Sequence, residues 1–368
     1  MWGQWIGTAT GSIAGSAMLN IDRNMNEFGS IEIHYTPECE HPIRPISIGI
    51  FNIEVTETGF KAEAIPFIDP DTVLPKAKPG QQPTTPKNSK IEGTFDKHKH
   101  IVATFDEGVY GKTEFKFYNQ EINLPLYGVE MDWEQFKRRV SKLEYTLSND
   151  PKEIYRGHSG NKFCLRTAFH RCDKRSLRSF LDSHLPTLYF HLGPFLNREY
   201  NLQDNEDVIS LLYLAEHHGF PTPFLDWTES PFVAAYFAYH QLDKYRDYGE
   251  DERVRVYAFK QYEWTSTFKN PRTLAHVPPQ FSVLKPRVSN HDRALPQQSV
   301  VTYSNIVNID AFIATIPHEG KPPYLVAYDL PARQRNVVIC ELRQMGITHA
   351  SLFPGIEGTC RALKERFM

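Results

Sequence analysis

The sequence predicts an α+β protein in two parts, a small antiparallel β sandwich or barrel over residues 1–125 and a mixed helix-and-strand domain over 126–368. Three observations predict it. The first third alternates apolar and polar residues with period two. From Asp132 onward the spacing turns helical. A strand–turn–helix corner, GFPTPFLDWTESPFVAAYFA, then occupies Gly219 to Ala238. With 40% apolar residues in a chain of 368, each part can bury a core.

In the first part Ile31, Ile33 and Tyr35 alternate with polar residues, as do Ile46, Ile48 and Ile50, and later Phe115 and Phe117. The alternation slips by one between Ile50 and Phe51, which predicts a bulge or a change of strand. Gly7, Gly11 and Gly15 predict a first strand that is thin or bulged. Trp2 and Trp5 near a glycine invite a lipocalin comparison, and core aromatics explain them at least as well. Prolines at 70, 75, 79, 83 and 86 make Asp69 to Lys90 a long loop, after which strand residues resume at Ile91. The module is suited to binding a target or partner, or to inhibiting the other part.

In the second part Asp132 starts a helix whose apolar face is Trp133, Phe136, Val140 and Leu143. Ile154–Ser159 is a strand end running into a turn. Asp204 or Asn205 caps a helix that ends at His217-His218-Gly219. In the central corner Phe224 and Leu225 form a short buried strand. Asp226 to Ser230 turn the chain, and Ser230 caps a helix opened by Pro231. Val233, Ala234, Tyr236, Phe237 and Ala238 make a helix with a small-residue face suited to close packing. Arg255–Lys260 and Ser299–Tyr303 are further strands, 265–296 is loop, and Ile339–Met345 is a helix closed by Gly346. The switch in pattern predicts two separately folding units, divided between about 120 and 132.

A net charge of −3 argues against a general electrostatic grip on nucleic acid. Lys137-Arg138-Arg139 and the Lys174, Arg175, Arg178 cluster could meet RNA or DNA locally, though solvated helix faces explain both more cheaply. No apolar run is long enough to span a membrane, and Met1 to Gly11 lacks the pattern of a signal peptide. The five cysteines form no CxxC pair, as expected of reduced thiols in the cytoplasm, and no metal-ligand motif is present.

The segment LDWTESPFVAAYFA resembles the signature of the FRG domain, a family named for a Phe/Tyr-Arg-Gly motif, here Tyr155-Arg156-Gly157. KFCLRTAFHR (162–171) and HASLFPGIEGTCRAL resemble further elements of that family in the same order, so the resemblance runs from about 150 to the end. The family is in turn similar to ADP-ribosyltransferases. That implies an ADP-ribosyltransferase-like split β-sandwich with helical insertions, and NAD as substrate. It implies transfer of ADP-ribose to a macromolecular acceptor, protein or nucleic acid, in a bacterial toxin or antiphage effector that a neutralising antitoxin would restrain. NAD glycohydrolysis and a non-catalytic nucleotide- or partner-binding module are the alternatives.

The chemistry requires a cation for the pyrophosphate, fixed hydrogen bonds for the carboxamide and an oriented acceptor for the cationic ribose. The resemblance assigns Arg156 to phosphate or ribose and Gly157, beside Tyr155, to nicotinamide. Thr228 and Ser230 stand at the transferases' serine-rich strand. Trp227 either stacks on a ring or joins the core, and Asp226 either orients Arg156 or closes an Asx-turn. His217 lies in EHHG, similar to the family's Gln-His-x-Gly, with Glu216 in place of Gln; a histidine capping its own helix end is the alternative. Pro223 stands where many relatives carry an arginine. Gln298 occupies the place of the transferases' catalytic glutamate and is expected to face the sugar, with Gln297 facing away.

Overall fold

The computed structural model describes residues 2–11, 14–22, 28–35, 47–67, 89–106, 112–121, 126–142, 145–147, 150–268, 274, 279–284, 286, 293–318, 320 and 322–367. The first part is a closed antiparallel barrel of eight strands: β1 (Gly3–Gly11), β2 (Gly15–Ile21), β3 (Phe28–Tyr35), β4 (Ser47–Val55), β5 (Gly59–Phe67), β6 (Ser89–Phe95), β7 (Ile101–Asp106) and β8 (Lys112–Asn119). Each strand pairs with the next, and β1 closes on β8 from Trp5↔Asn119 to Gly11↔Thr113. Closure leaves no free edge. The inward residues of the period-two pattern fill the interior, with Leu19, Ile31, Ile48, Ile50, Ile91 and Phe105 fully buried.

The slip in the sequence marks a real bulge. Between Phe51 and Glu54 the register of β4 against β5 shifts by one, and Asn52 takes a φ of 51°. The bulge sits one or two residues later than the sequence suggested. Gly7 keeps β1 thin rather than bulged, since a Cβ there would lie 1.7 Å from the Lys116 carbonyl oxygen across the β1–β8 seam. Most of the expected loop, 68–88, lies outside the described residues, as do Cys39 and Leu143.

The second part is built on a seven-stranded sheet. Its strands are β9 (Val129–Glu130), β10 (Ile154–His158), β11 (Phe224–Thr228), β12 (Arg253–Phe259), β13 (Phe281–Leu284), β14 (Ser299–Ser304) and β15 (Leu325–Pro331). Their order is β13-β14-β11-β10-β12-β15-β9, antiparallel except where β9 joins β15. Four of these strands depart from the sequence reading: β11 runs on through Asp226, Trp227 and Thr228, where the chain was expected to turn, because these residues pair with β14, and the short β9 was not anticipated. The run 265–296 contains β13, a four-residue buried strand paired with β14, where loop was expected. β15 is a central strand with no counterpart in that reading.

The sheet is nearly parted in its middle. β10 pairs with β12 through five residues and β11 with β14 through five, yet β10 meets β11 only at Tyr155↔Thr228. Helices cover both faces. The helix Trp133–Val140 begins in a capping box between Asp132 and Gln135 and buries Trp133, Phe136 and Val140. The helix Pro231–Tyr239, capped by Ser230 on the Val233 amide at 3.3 Å, packs on the same side.

That helix explains the glycine of the Tyr-Arg-Gly motif. A Cβ on Gly157 would lie 1.9 Å from the Ala234 carbonyl oxygen and 2.6 Å from the Ala238 amide nitrogen. Backbone meets backbone here, which is why the helix presents alanines. Gly157→Ala is therefore expected to cost about 1–3 kcal/mol by overpacking. A urea midpoint equal to the parent's would contradict this packing.

The two parts are joined by buried polar contacts. The Gln4 amide donates to the Asn305 carbonyl at 2.7 Å and its oxygen accepts from the Val307 amide at 2.9 Å. Arg175, read from sequence as a solvated cation, has a fully buried side chain. It forms a bidentate pair with Glu121, and its backbone amide and that of Ser176 donate to Asp22. Cutting the chain between the parts would leave this guanidinium buried without its carboxylate. Lys137 is likewise taken up, by Glu134 and Glu341 at 2.7 Å each.

Candidate functional site

A cavity of about 1060 Å³ opens where the sheet parts. Arg156, Gly157 and His158 of β10 line one side, Asp226, Trp227 and Thr228 of β11 the other. The size lies at the upper end of small-molecule sites, roughly 300–1000 Å³. Trp2 and Glu121 from the first part complete the wall, so Trp2 is no core aromatic: it is exposed, with Arg175 5.3 Å from its ring. Trp5 is buried in the barrel, as expected.

Alternation along β10 separates its side chains. Tyr155 points its ring into the helical core and donates its hydroxyl to Glu153 at 2.8 Å, while part of the residue still borders the cavity. Burial holds that phenol far above its ordinary range. Arg156 turns to the cavity. Its Nη1 donates to the Asp226 backbone carbonyl, and its Nε donates to His158 Nε2 at 3.3 Å. The carbonyl of Asp226, not its carboxylate, orients the arginine, and the exposed carboxylate borders the cavity. Burial lowers the pKa of Arg156, opposed by Asp226 and reinforced by Arg171. Burial, with Arg156, Arg171 and Arg255 adding repulsion, pushes His158 down to about 3. His158 is therefore a neutral acceptor that holds the guanidinium plane.

The corner residues divide into framework and wall. Trp227 donates its indole N–H to Thr302 at 2.9 Å and packs with Phe259 and Phe281, so it is a core residue with one edge on the cavity. The Thr228 hydroxyl donates to the Gln297 carbonyl at 2.7 Å and accepts from the Ser230 amide at 3.1 Å. Ser230 serves as the helix cap and is not among the lining residues. His217 lines the cavity while its Nδ1–H donates to the Tyr213 carbonyl at 2.9 Å, capping its own helix end. Burial lowers its pKa.

Gln298 is not where the sequence reading put it. The strand begins at Ser299, and Gln298 precedes it in a left-handed conformation, φ 48°, with its side chain exposed. Gln297 lines the cavity and donates its amide to the Leu352 carbonyl at 3.0 Å. The expected register extended strand alternation past the strand's end, which puts it off by one. Gln298→Ala is expected to leave any reaction in this cavity at the parental rate, and Gln297→Ala to slow it several-fold by freeing the wall near Leu352. Steady-state rates of the two variants check this, and a dead Gln298→Ala would reverse it.

The structure adds groups that sequence reasoning missed. Arg166, Arg171 and Arg293 bring the guanidinium groups at the cavity to four, and Glu216 adds a carboxyl. Arg166 and Arg171 bracket the short helix Ala168–Arg171 within KFCLRTAFHR, so an arginine spacing of five around a capped turn was the available signal. Arg293 and Phe353 come from the chain's last quarter, with Arg293 5.2 Å from the Phe353 ring. Cys164 also borders the cavity, but burial and Asp310 push its thiol up to about 11, away from nucleophilic use. Among the described residues no cluster of three or more His, Cys, Asp or Glu could hold a metal ion, and no helix is long and apolar enough to cross a membrane.

The family model of the FRG domain matches residues 151–247. The match contains β10, both cavity arginines of the 162–171 segment, EHHG and the central corner. No curated protein and no solved structure matches the chain.

Proposed function

We propose that the protein consumes NAD, cleaving the nicotinamide–ribose bond in this cavity and transferring ADP-ribose to a macromolecular acceptor. One observation carries the reading: guanidinium groups, carboxyl groups and ring edges converge in a dinucleotide-sized cavity at the parting of the sheet. A dinucleotide needs cations at its pyrophosphate, which Arg156, Arg166 and Arg171 supply. Its cationic nicotinamide ring and the ribose cation that forms on cleavage need negative or polarisable groups, which Asp226, Glu216 and Trp227 supply. A sheet parted in two halves with the cavity between them agrees with the ADP-ribosyltransferase-like split sandwich, and we assign the second part to that fold class.

Trp2 and Glu121 make the barrel part of the cavity wall, which favours transfer to a macromolecule held across both parts. The resemblance to ADP-ribosyltransferases extends the proposal to a toxin or antiphage effector acting on protein or nucleic acid in the cytoplasm, with a neutralising antitoxin as partner. Adenine-labelled NAD incubated with the protein and whole-cell extract tests the reading. Label retained on macromolecules and released by protease or by nuclease is expected, and names the acceptor class. Label running wholly as free ADP-ribose would make the protein a glycohydrolase, and intact NAD would make the cavity a binding site without chemistry.

A further inference from the structure

We infer that Glu216, buried on the cavity wall with a carboxyl oxygen unpartnered among the described residues, is the acid–base carboxyl of this cavity and the acceptor of the incoming nucleophile's proton. The inference rests on the NAD reading above and assigns the carboxyl chemistry to the end of the helix Asn205–His217 instead of to the segment before β14. Three observations support it. Glu216 lines the cavity. Its Oε2 is buried with no hydrogen-bond partner among the described residues. The alternative carboxyl position, Gln298, is an amide and faces solvent.

The surroundings define its protonation. Asp226 on β11 faces it with like charge. Arg156 on β10 and Arg171 on the short helix face it with opposite charge, the Thr222 hydroxyl favours its charged form, and Tyr213 and His217 share its helix. No ion pair among the described residues takes it up. Burial first, and Asp226 second, push its carboxyl up to about 9, against the pull of Arg156 and Arg171. Bringing a pyridinium ring into the cavity reverses that balance, because an opposite charge within about 4–6 Å favours the carboxylate. Phosphates drawn to Arg156 and Arg171 weaken the pull of those cations, so the ring cation must outweigh them; the proton then leaves Glu216 for solvent.

The bond changes then balance. The bond from the nicotinamide nitrogen to the ribose C1′ breaks with both electrons passing to the ring, which becomes neutral. C1′ carries the positive charge, opposed by the Glu216 carboxylate. A hydroxyl oxygen of the acceptor donates a lone pair to C1′, and its proton passes to Glu216.

Titration calorimetry of the full chain with NAD, at pH 7.5 in two buffers of different ionisation enthalpy, reads the proton directly. The parent is expected to release about one proton per NAD bound and none with ADP-ribose, which lacks the ring cation. Glu216→Gln should bind NAD without proton release and free nicotinamide about 100-fold more slowly, with partial recovery in Glu216→Asp. The amide replaces a neutral acid of the same shape, so the fold is kept. The sign of the stability effect follows: a folded-state value raised to about 9 means the parent loses stability as pH rises from the unfolded carboxylate range toward 9. Glu216→Gln should therefore melt higher than the parent at pH 8, by a margin that closes near pH 4.5. Equal proton release by parent and Glu216→Gln, or a parental rate of nicotinamide release, overturns the role of Glu216 alone. Absence of binding by both NAD and ADP-ribose overturns the NAD reading with it.

Discussion

Arg175→Ala is expected to lower stability by about 3–5 kcal/mol and to loosen the barrel from the sheet domain. The guanidinium is wholly buried, and its partner Glu121 retains only 17% exposure, so solvent screens the pair weakly. Its Nη1 also donates to the His170 carbonyl at 2.9 Å and the Lys174 carbonyl at 2.8 Å. Truncation leaves Glu121 charged with, among the described residues, Arg166 at 3.9 Å as its remaining cation, and strips a donor from two carbonyls. The damage reaches the cavity, because Glu121 and Trp2 form its outer wall. Arg175→Met combined with Glu121→Leu should recover much of the loss, since an apolar pair of similar volume avoids the uncompensated charge. Urea unfolding of the full chain checks this. A single variant within about 1 kcal/mol of the parent would show that the joint is not held by this pair.

The second large effect falls on turnover. Arg156→Lys should slow nicotinamide release by about 10²–10³-fold, the loss typical of one preorganised group at a developing charge. The guanidinium plane is fixed at two points, by the Asp226 carbonyl and by neutral His158, which leaves its outer edge aimed into the cavity. A lysine ammonium is a point charge on a flexible stem and cannot be held by two planar contacts. Lysine keeps the charge and most of the aliphatic stem, so the unfolding midpoint should move little. An unchanged rate would remove Arg156 from the chemistry. A collapsed midpoint with no folded fraction would instead make it a structural link between the two halves of the sheet.

The sequence made the site's framework legible where local chemistry dictates it. Ser230 and Pro231 announce a helix start, Asp204 another, and Gly219 and Gly346 end helices with φ of 85° and 81°. Period two exposed the barrel because its strands have one face inside and one in water. The same rule hides strands buried on both faces. Leu325–Pro331 and Phe281–Leu284 present short apolar runs without alternation, the latter beside Pro278, Pro279 and Pro286, and so read as loop or not at all. Arg175 resembled a surface cation because composition does not record that Asp22 and Glu121, more than fifty residues away, close over it. Gln298 failed for a local reason: a left-handed residue before β14 reverses the side-chain alternation carried back from Val300. Glu216 stood in plain view beside His217, but its chemistry comes from burial against Asp226, which spacing alone does not show.

The most direct measurement is nicotinamide release from NAD by the purified full chain, followed beside Arg156→Lys and in the presence of whole-cell extract as a source of acceptors. The proposed function predicts release by the parent, stimulated by extract, with Arg156→Lys slower by at least about 10²-fold at equal folded concentration. Intact NAD with the folded parent and extract, or equal release by both proteins, would contradict it.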